Sequence, residues 1–185
     1  MDVENRSCRA MRGVTLIELI ASVAVIGISL AVLIPSWSDL AGRNRITAAA
    51  NSLLTDLRYA RSTAVTRNRR IGLCPSDDGT SCSGNPYGWQ QGYLIFVDRD
   101  SDGARGTTED LLQIRGAQPT GMRLHSTAGR PEISFRPDGA AWTTNTTLSV
   151  CQGDDPSAYR AVVLYGSGRA RVDKRLPSGR RIDCR

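Results

Sequence analysis

Four carboxylates in one short stretch have the spacing of a cation loop. In Asp98-x-Asp100-x-Asp102-Gly103-x5-Glu109 the acids fall at the first, third, fifth and twelfth positions. Oxygen ligands so spaced can wrap a hard divalent ion such as calcium. Two features weigh against that reading. The flanks read as strands, so no helix–loop–helix is available, and Arg105 holds the eighth position, where paired loops carry an apolar side chain. Aspartates also serve as turn formers in solvated hairpin loops. We take the second reading and expect no metal or other cofactor, with calcium at Asp98, Asp100, Asp102 and Glu109 as the alternative.

A second constellation is Gly168-Arg169-Ala170-Arg171. The apolar run Ala161–Tyr165 reads as a strand and Gly166-Ser167-Gly168 as a turn. Arg169 and Arg171 then alternate on the return strand, on one face and about 6.6 Å apart. That arrangement suits successive phosphates, and the guanidinium fork suits them better than an ammonium. Lys174, Arg175, Arg180 and Arg181 extend the positive surface. From residue 158 onward the chain holds eight basic side chains against Asp173 and Asp183, whereas the stretch from Val14 to Ser157 is close to neutral. Such an end points to a polyanion or to the acidic surface of a protein neighbour. No base-reading module accompanies it, so contacts would be to phosphate and insensitive to sequence.

Enzymatic readings have little to rest on. His125 is the only histidine and has no nucleophile beside it, and Ser167 sits in Gly-Ser-Gly and not in a Gly-x-Ser-x-Gly elbow. Trp37, Trp89 and Trp142 read as packing residues.

The elements that must carry these groups begin with a charged leader, residues 1–13, followed by an apolar run from Val14 to Ile34 whose only charge is Glu18. About 20 apolar residues suffice to span a bilayer as a helix. A secretory signal is cut after its apolar stretch; here the most cleavable-looking bond lies before it, after Gly13. An uncleaved anchor and a secretory signal cut near Ala31 are the alternatives. A cut at Gly13 leaves the new amino group on Val14 and makes Glu18 the fifth mature residue, able to pair with the terminal ammonium of a neighbouring subunit. It also removes Cys8. The remaining Cys74, Cys82, Cys151 and Cys184 are an even set, read as two disulfides. Sequence order suggests Cys74–Cys82 and Cys151–Cys184; two other pairings are open.

From Ser36 to about Arg67, Leu40, Ile46, Ala50, Leu53, Leu57 and Ala64 recur at helical spacing. Pro35 should bend or loosen the helix at the join. Beyond Arg70 the pattern changes to short strands: 71–74, 92–97, 110–115, 122–125, 133–135, 148–151, 161–165 and 170–173. The expected fold is α+β, a long N-terminal helix packed on an antiparallel β-sheet head. The expected divisions are a removed leader (1–13), a membrane or filament-core helix (14–35), an amphipathic helix (36–70) and a β-rich head (71–185).

Gly13-Val14-Thr15-Leu16-Ile17-Glu18-Leu19, an apolar helix and Pro35 at the twenty-second mature position resemble the type IV pilin and pseudopilin superfamily. Val14 departs from that family's usual phenylalanine. The block Trp89-Gln90-Gln91-Gly92-Tyr93-Leu94-Ile95-Phe96-Val97-Asp98, with its acidic loop and Glu109 before Leu111-Leu112, resembles the GspH/FimT branch. The resemblance implies cleavage between Gly13 and Val14 by a prepilin peptidase and N-methylation of Val14. It implies a single-pass subunit of the bacterial inner membrane, head in the periplasm, that joins other pilins or pseudopilins near a filament tip. Gly168-Arg169-Ala170-Arg171 resembles the motif by which FimT-type minor pilins bind double-stranded DNA during natural transformation. The alternatives within the branch are a minor pilin that primes assembly and a type II secretion pseudopilin.

Overall fold

The computed structural model describes residues 13–141, 145–182 and 184, and for residues 31–39 it describes the backbone alone. The chain divides into two compact units, one up to Leu40 and one from Ala41 on. Helix α1 (Leu16–Arg67) contributes to both. Pro35 lies within that span, and its side chain falls outside the described residues.

In the first unit Thr15 caps α1. The Glu18 amide donates to Thr15 Oγ1 at 3.3 Å, and the Leu19 amide donates to the Thr15 carbonyl at 3.1 Å. Thr-x-x-Glu is the sequence of a capping box, and an acid in the first turn complements the helix dipole. Side chains from Val14 to Leu30 are exposed in the single chain, among them Leu16, Ile17, Ile20 and Val23. The hydroxyls of Ser22 and Ser29 donate back to the carbonyls of Glu18 and Val25 at 2.7 and 2.8 Å, which hides them from the surroundings. Among the described residues no helix is long and apolar enough to cross a membrane. The apolar run continues through residues 31–34, whose side chains lie outside that set.

In the second unit α1 buries Ile46, Ala50, Leu53, Leu57, Ala60 and Ala64. Leu40, which the periodicity assigns to the same stripe, is 57% exposed, because burial of the helix begins only at Ile46. Among the described residues eight strands follow: β1 (Ile71–Pro75), β2 (Tyr93–Val97), β3 (Leu111–Arg115), β4 (Met122–Ser126), β5 (Ile133–Phe135), β6 (Thr146–Gln152), β7 (Arg160–Leu164) and β8 (Ala170–Asp173). The antiparallel β-rich head expected from the sequence is present, and its strands divide between two sheets. There are two four-stranded antiparallel sheets, ordered β3-β2-β1-β5 and β4-β6-β7-β8. Alternating side chains identify a strand but carry no information on its partner.

The helix stripe, Leu73, Ile95 and Phe135 of the first sheet, and Leu124, Leu148 and Val162 of the second belong to one core. Burial of each such side chain contributes roughly 1.5–3 kcal/mol. The opposite faces are also closed. Cys74, Leu94 and Phe96 cluster on the first sheet, and Cys151, Tyr159, Val163, Ile182 and Cys184 on the second. Both clusters contain a disulfide, Cys74–Cys82 and Cys151–Cys184, with Cα separations of 5.5 and 6.3 Å.

Among the described residues of α1, one charged side chain is buried on the stripe. Asp56 is 1% exposed. It accepts from the Tyr93 hydroxyl at 2.6 Å and from Arg115 Nε and Nη2 at 2.8 and 2.5 Å. This clamp ties α1 to β2 and β3. Burial and the adjacent carboxylate push the Tyr93 hydroxyl pKa up, so it remains a donor.

Candidate functional site

The two arginines of the Gly168–Arg171 segment are presented by the β7–β8 hairpin. In its register Val163 faces Arg171, while Val162 and Leu164 face Val172 and Ala170. Ala170 and Val172 pack on the main core. Alternation therefore turns Arg171 and Asp173 to the other face, and Arg169 with them. The turn is closed by the Gly168 amide donating to the Tyr165 carbonyl at 2.8 Å and the Tyr165 amide donating to the Arg169 carbonyl at 2.9 Å.

Gly168 has φ of 76°, and a Cβ at this position would collide with the Gly139 carbonyl oxygen. Arg61 Nε donates to that same oxygen at 2.9 Å. Helix, 138–139 turn and hairpin thus meet at one point, which fixes where Arg169 emerges. Gly168→Ala meets both an unfavourable backbone region and a steric collision. It is expected to cost at least about 2 kcal/mol in urea unfolding. A shift below about 0.5 kcal/mol would mean the turn is not locked.

A groove of about 630 Å³ runs along this junction, lined by Arg58, Arg61, Tyr165, Ser167, Arg169 and Arg171 among others. Arg58, Arg169 and Arg171 are exposed and Arg61 is half-buried. Arg171 stands 5.5 Å from the centre of the Tyr165 ring and pairs with Asp173 at 2.8 Å. Both partners of that pair keep solvent access, at 59% and 30% side-chain exposure. An ion pair of this kind is worth about 0–1 kcal/mol, so a phosphate can displace the carboxylate at little cost. Arg58 and Arg61 were not among the residues expected from sequence. Their place at the edge of the helix stripe was legible, but not the hairpin that packs beside them.

The other basic residues divide. Lys174, Arg175, Arg180 and Arg181 are all exposed. A turn from Leu176 to Gly179 shapes the segment, with the Gly179 amide donating to the Leu176 carbonyl at 2.8 Å and the Leu176 amide to the Arg180 carbonyl at 3.0 Å. Ile182 and Cys184 are buried and hold its far end. Arg181 lines a second groove with Arg123, Asp154 and Tyr159 that shares no lining residue with the first. The structure thus joins Arg169 and Arg171 to two helix arginines and turns Arg181 elsewhere.

The acidic loop follows β2. Ligand oxygens of Asp98, Asp100 and Asp102 lie within 4.8 Å of one another. Burial pushes the Asp98 carboxyl above the usual carboxylate range. Glu109 stands apart from that trio: its two oxygens accept from the amides of Arg99 at 2.5 Å and Gly106 at 2.9 Å. Arg105 donates to the carbonyls of Thr80 at 2.7 Å and Glu109 at 3.3 Å, bracing the loop against the Cys74–Cys82 segment. At the other end of the chain, the Gly13–Val14 bond lies in non-helical backbone just ahead of α1, with both residues exposed.

Comparison with known proteins bears on the family and the fold. The family model for the type II transport protein GspH matches residues 49–168, and that for the prokaryotic N-terminal methylation motif matches residues 8–34. The pilin-like protein PilA1 of Thermus thermophilus is 30% identical over 168 residues, covering 88% of this chain and 98% of that one. A crystal structure of the type IV minor pilin FimU of Pseudomonas aeruginosa has a similar fold, with a TM-score of 0.59 and 22% identity over 77% of this chain and 96% of that one. The minor pseudopilin EpsH from the type 2 secretion system of Vibrio cholerae is also similar, with a TM-score of 0.50 and 17% identity over 69% and 95% of the two chains. The chain therefore belongs to the GspH family of type IV pilins and pseudopilins, which are structural proteins and not enzymes.

Proposed function

We propose that this chain is a minor pilin that captures extracellular double-stranded DNA for uptake, without regard to sequence, through the groove at the β7–β8 hairpin. The observation that carries the reading is the convergence of Arg58, Arg61, Arg169 and Arg171 on one groove, held by the contact of Gly168 with Gly139. Lys174, Arg175, Arg180 and Arg181 add longer-range attraction.

In this reading a prepilin peptidase cuts between Gly13 and Val14 and Val14 is N-methylated. The accessible, non-helical bond ahead of α1 suits such a cut. The exposed apolar surface from Val14 to Leu30 then needs a non-aqueous neighbour. The inner membrane supplies it first, with the head in the periplasm, and the helices of other pilins supply it in the filament. Glu18 pairs with a neighbouring N-terminus, Pro35 eases the helix at the join, and the head sits near the filament tip. A second reading is favoured by the existing Arg171–Asp173 pair: the same groove docks on an acidic neighbour, in a subunit that primes pilus assembly or serves type II secretion.

Fluorescence anisotropy with a labelled DNA duplex separates the two. The full chain in neutral detergent should bind at low salt, with affinity falling steeply as salt rises. Arg169→Gln with Arg171→Gln should weaken binding at least about tenfold and lower the salt slope by about 2. Unchanged affinity and slope in the double variant would remove the groove as the site, and no binding by the wild type would favour the acidic neighbour.

A further inference from the structure

The acidic loop leaves a polar atom unserved in a way that the pilin reading does not use. Asp98 is 1% exposed, and its Oδ1 is buried without a hydrogen-bond partner. Oδ2 accepts from the Ser134 hydroxyl at a long 3.4 Å. A buried carboxylate oxygen with no donor is costly, and a hard cation is among the groups that relieve that cost. One carboxylate oxygen each of Asp98, Asp100 and Asp102 lies within 4.8 Å of the others. Asp100 and Asp102 are exposed, so turning them to an ion disturbs no core. Opposite ligands of a calcium ion at about 2.4 Å are separated by about 4.8 Å, the span within which the three oxygens fall.

Arg70 opposes an ion at this loop: it donates to the Ser101 carbonyl at 3.5 Å and its positive charge lies close to Asp98, so a bound cation must outweigh that repulsion. Arg99 pairs with Asp110, and Arg105 is directed to Thr80 and Glu109. Glu109 is already committed to two backbone amides.

We propose that Asp98, Asp100 and Asp102 hold one calcium ion per chain, and that Glu109 anchors the loop without touching it. This departs from the EF-hand scheme, in which the twelfth residue is a bidentate ligand. Oxygen donors on a pliable loop suit calcium better than magnesium, which demands near-octahedral geometry and keeps its waters. The inference is independent of DNA binding.

The test is calorimetric titration of the chelator-stripped full chain, in detergent, with calcium chloride and separately with magnesium chloride. One calcium per chain is expected, with a Kd of about 10⁻⁴–10⁻³ M, as in extracellular modules. Asp100→Asn with Asp102→Asn should weaken it at least about tenfold while the circular dichroism spectrum stays that of the wild type. If the pair misfolds, Asp100→Asn alone replaces it, with a smaller loss expected. Absence of heat above dilution up to about 10 mM calcium, well above that range, would overturn the proposal. So would unchanged binding in the variants, or magnesium bound as well as calcium.

Discussion

Arg115→Met should destabilise the unit from Ala41 onward by about 2–3 kcal/mol, with little change in the exposed groove. Breaking a buried ion pair typically costs 3–5 kcal/mol because one charge is stranded. Here the stranded group is Asp56, whose side chain is 2% exposed, while Arg115 itself is 43% exposed. The discount from the upper figure reflects that half-open side. After the substitution the Tyr93 hydroxyl is the donor that remains to Asp56 from the clamp. Adding Asp56→Asn removes the stranded charge, so the double variant should cost less than the sum of the two single changes. Urea unfolding of the four proteins gives the coupling directly. A single-variant cost within about 0.5 kcal/mol of zero, or strict additivity, would mean the clamp contributes geometry and not stability.

The second large effect is expected at the C-terminal disulfide. Cys151 and Cys184 are 33 positions apart, whereas Cys74 and Cys82 are 8 apart. Loop-closure entropy then predicts about 4 kcal/mol for the longer cross-link and about 2.5 kcal/mol for the shorter. Cys151→Ala with Cys184→Ala should therefore lower the urea midpoint more than Cys74→Ala with Cys82→Ala. It also frees the buried end of the segment that carries Lys174 to Arg181. The reverse order of the two double variants would show that packing around Cys74, and not chain entropy, dominates.

Much of this was readable in the chain. All eight strands fall within two residues of their sequence-derived limits, because each is a short apolar run between Gly, Pro or Asn punctuation. The helix stripe was readable for the same reason, its period being 3.6. What failed to show was partnership across long separations. Asp56 sits between Leu53 and Leu57 on the buried stripe, which was itself a signal that a charge there needs a partner. The identity of that partner, Arg115 on β3, is a tertiary fact. Arg58 and Arg61 joined the basic groove only when the hairpin at 165–171 was laid beside α1. The acidic loop was read by spacing alone, and spacing does not show that the Glu109 oxygens accept from the backbone amides of Arg99 and Gly106.

The chain enters the second sheet at β4, returns to the first for β5, and goes back to the second for β6. Neither sheet is therefore a continuous piece of polypeptide. Releasing β5 from β1 strips the first sheet of an edge and at the same moment slackens both connections into the second. Such interleaving leaves no hinge at which half of the head can open while the other half stands. A head wired in this way is expected to fail all or none, without an intermediate that presents bare strand edges.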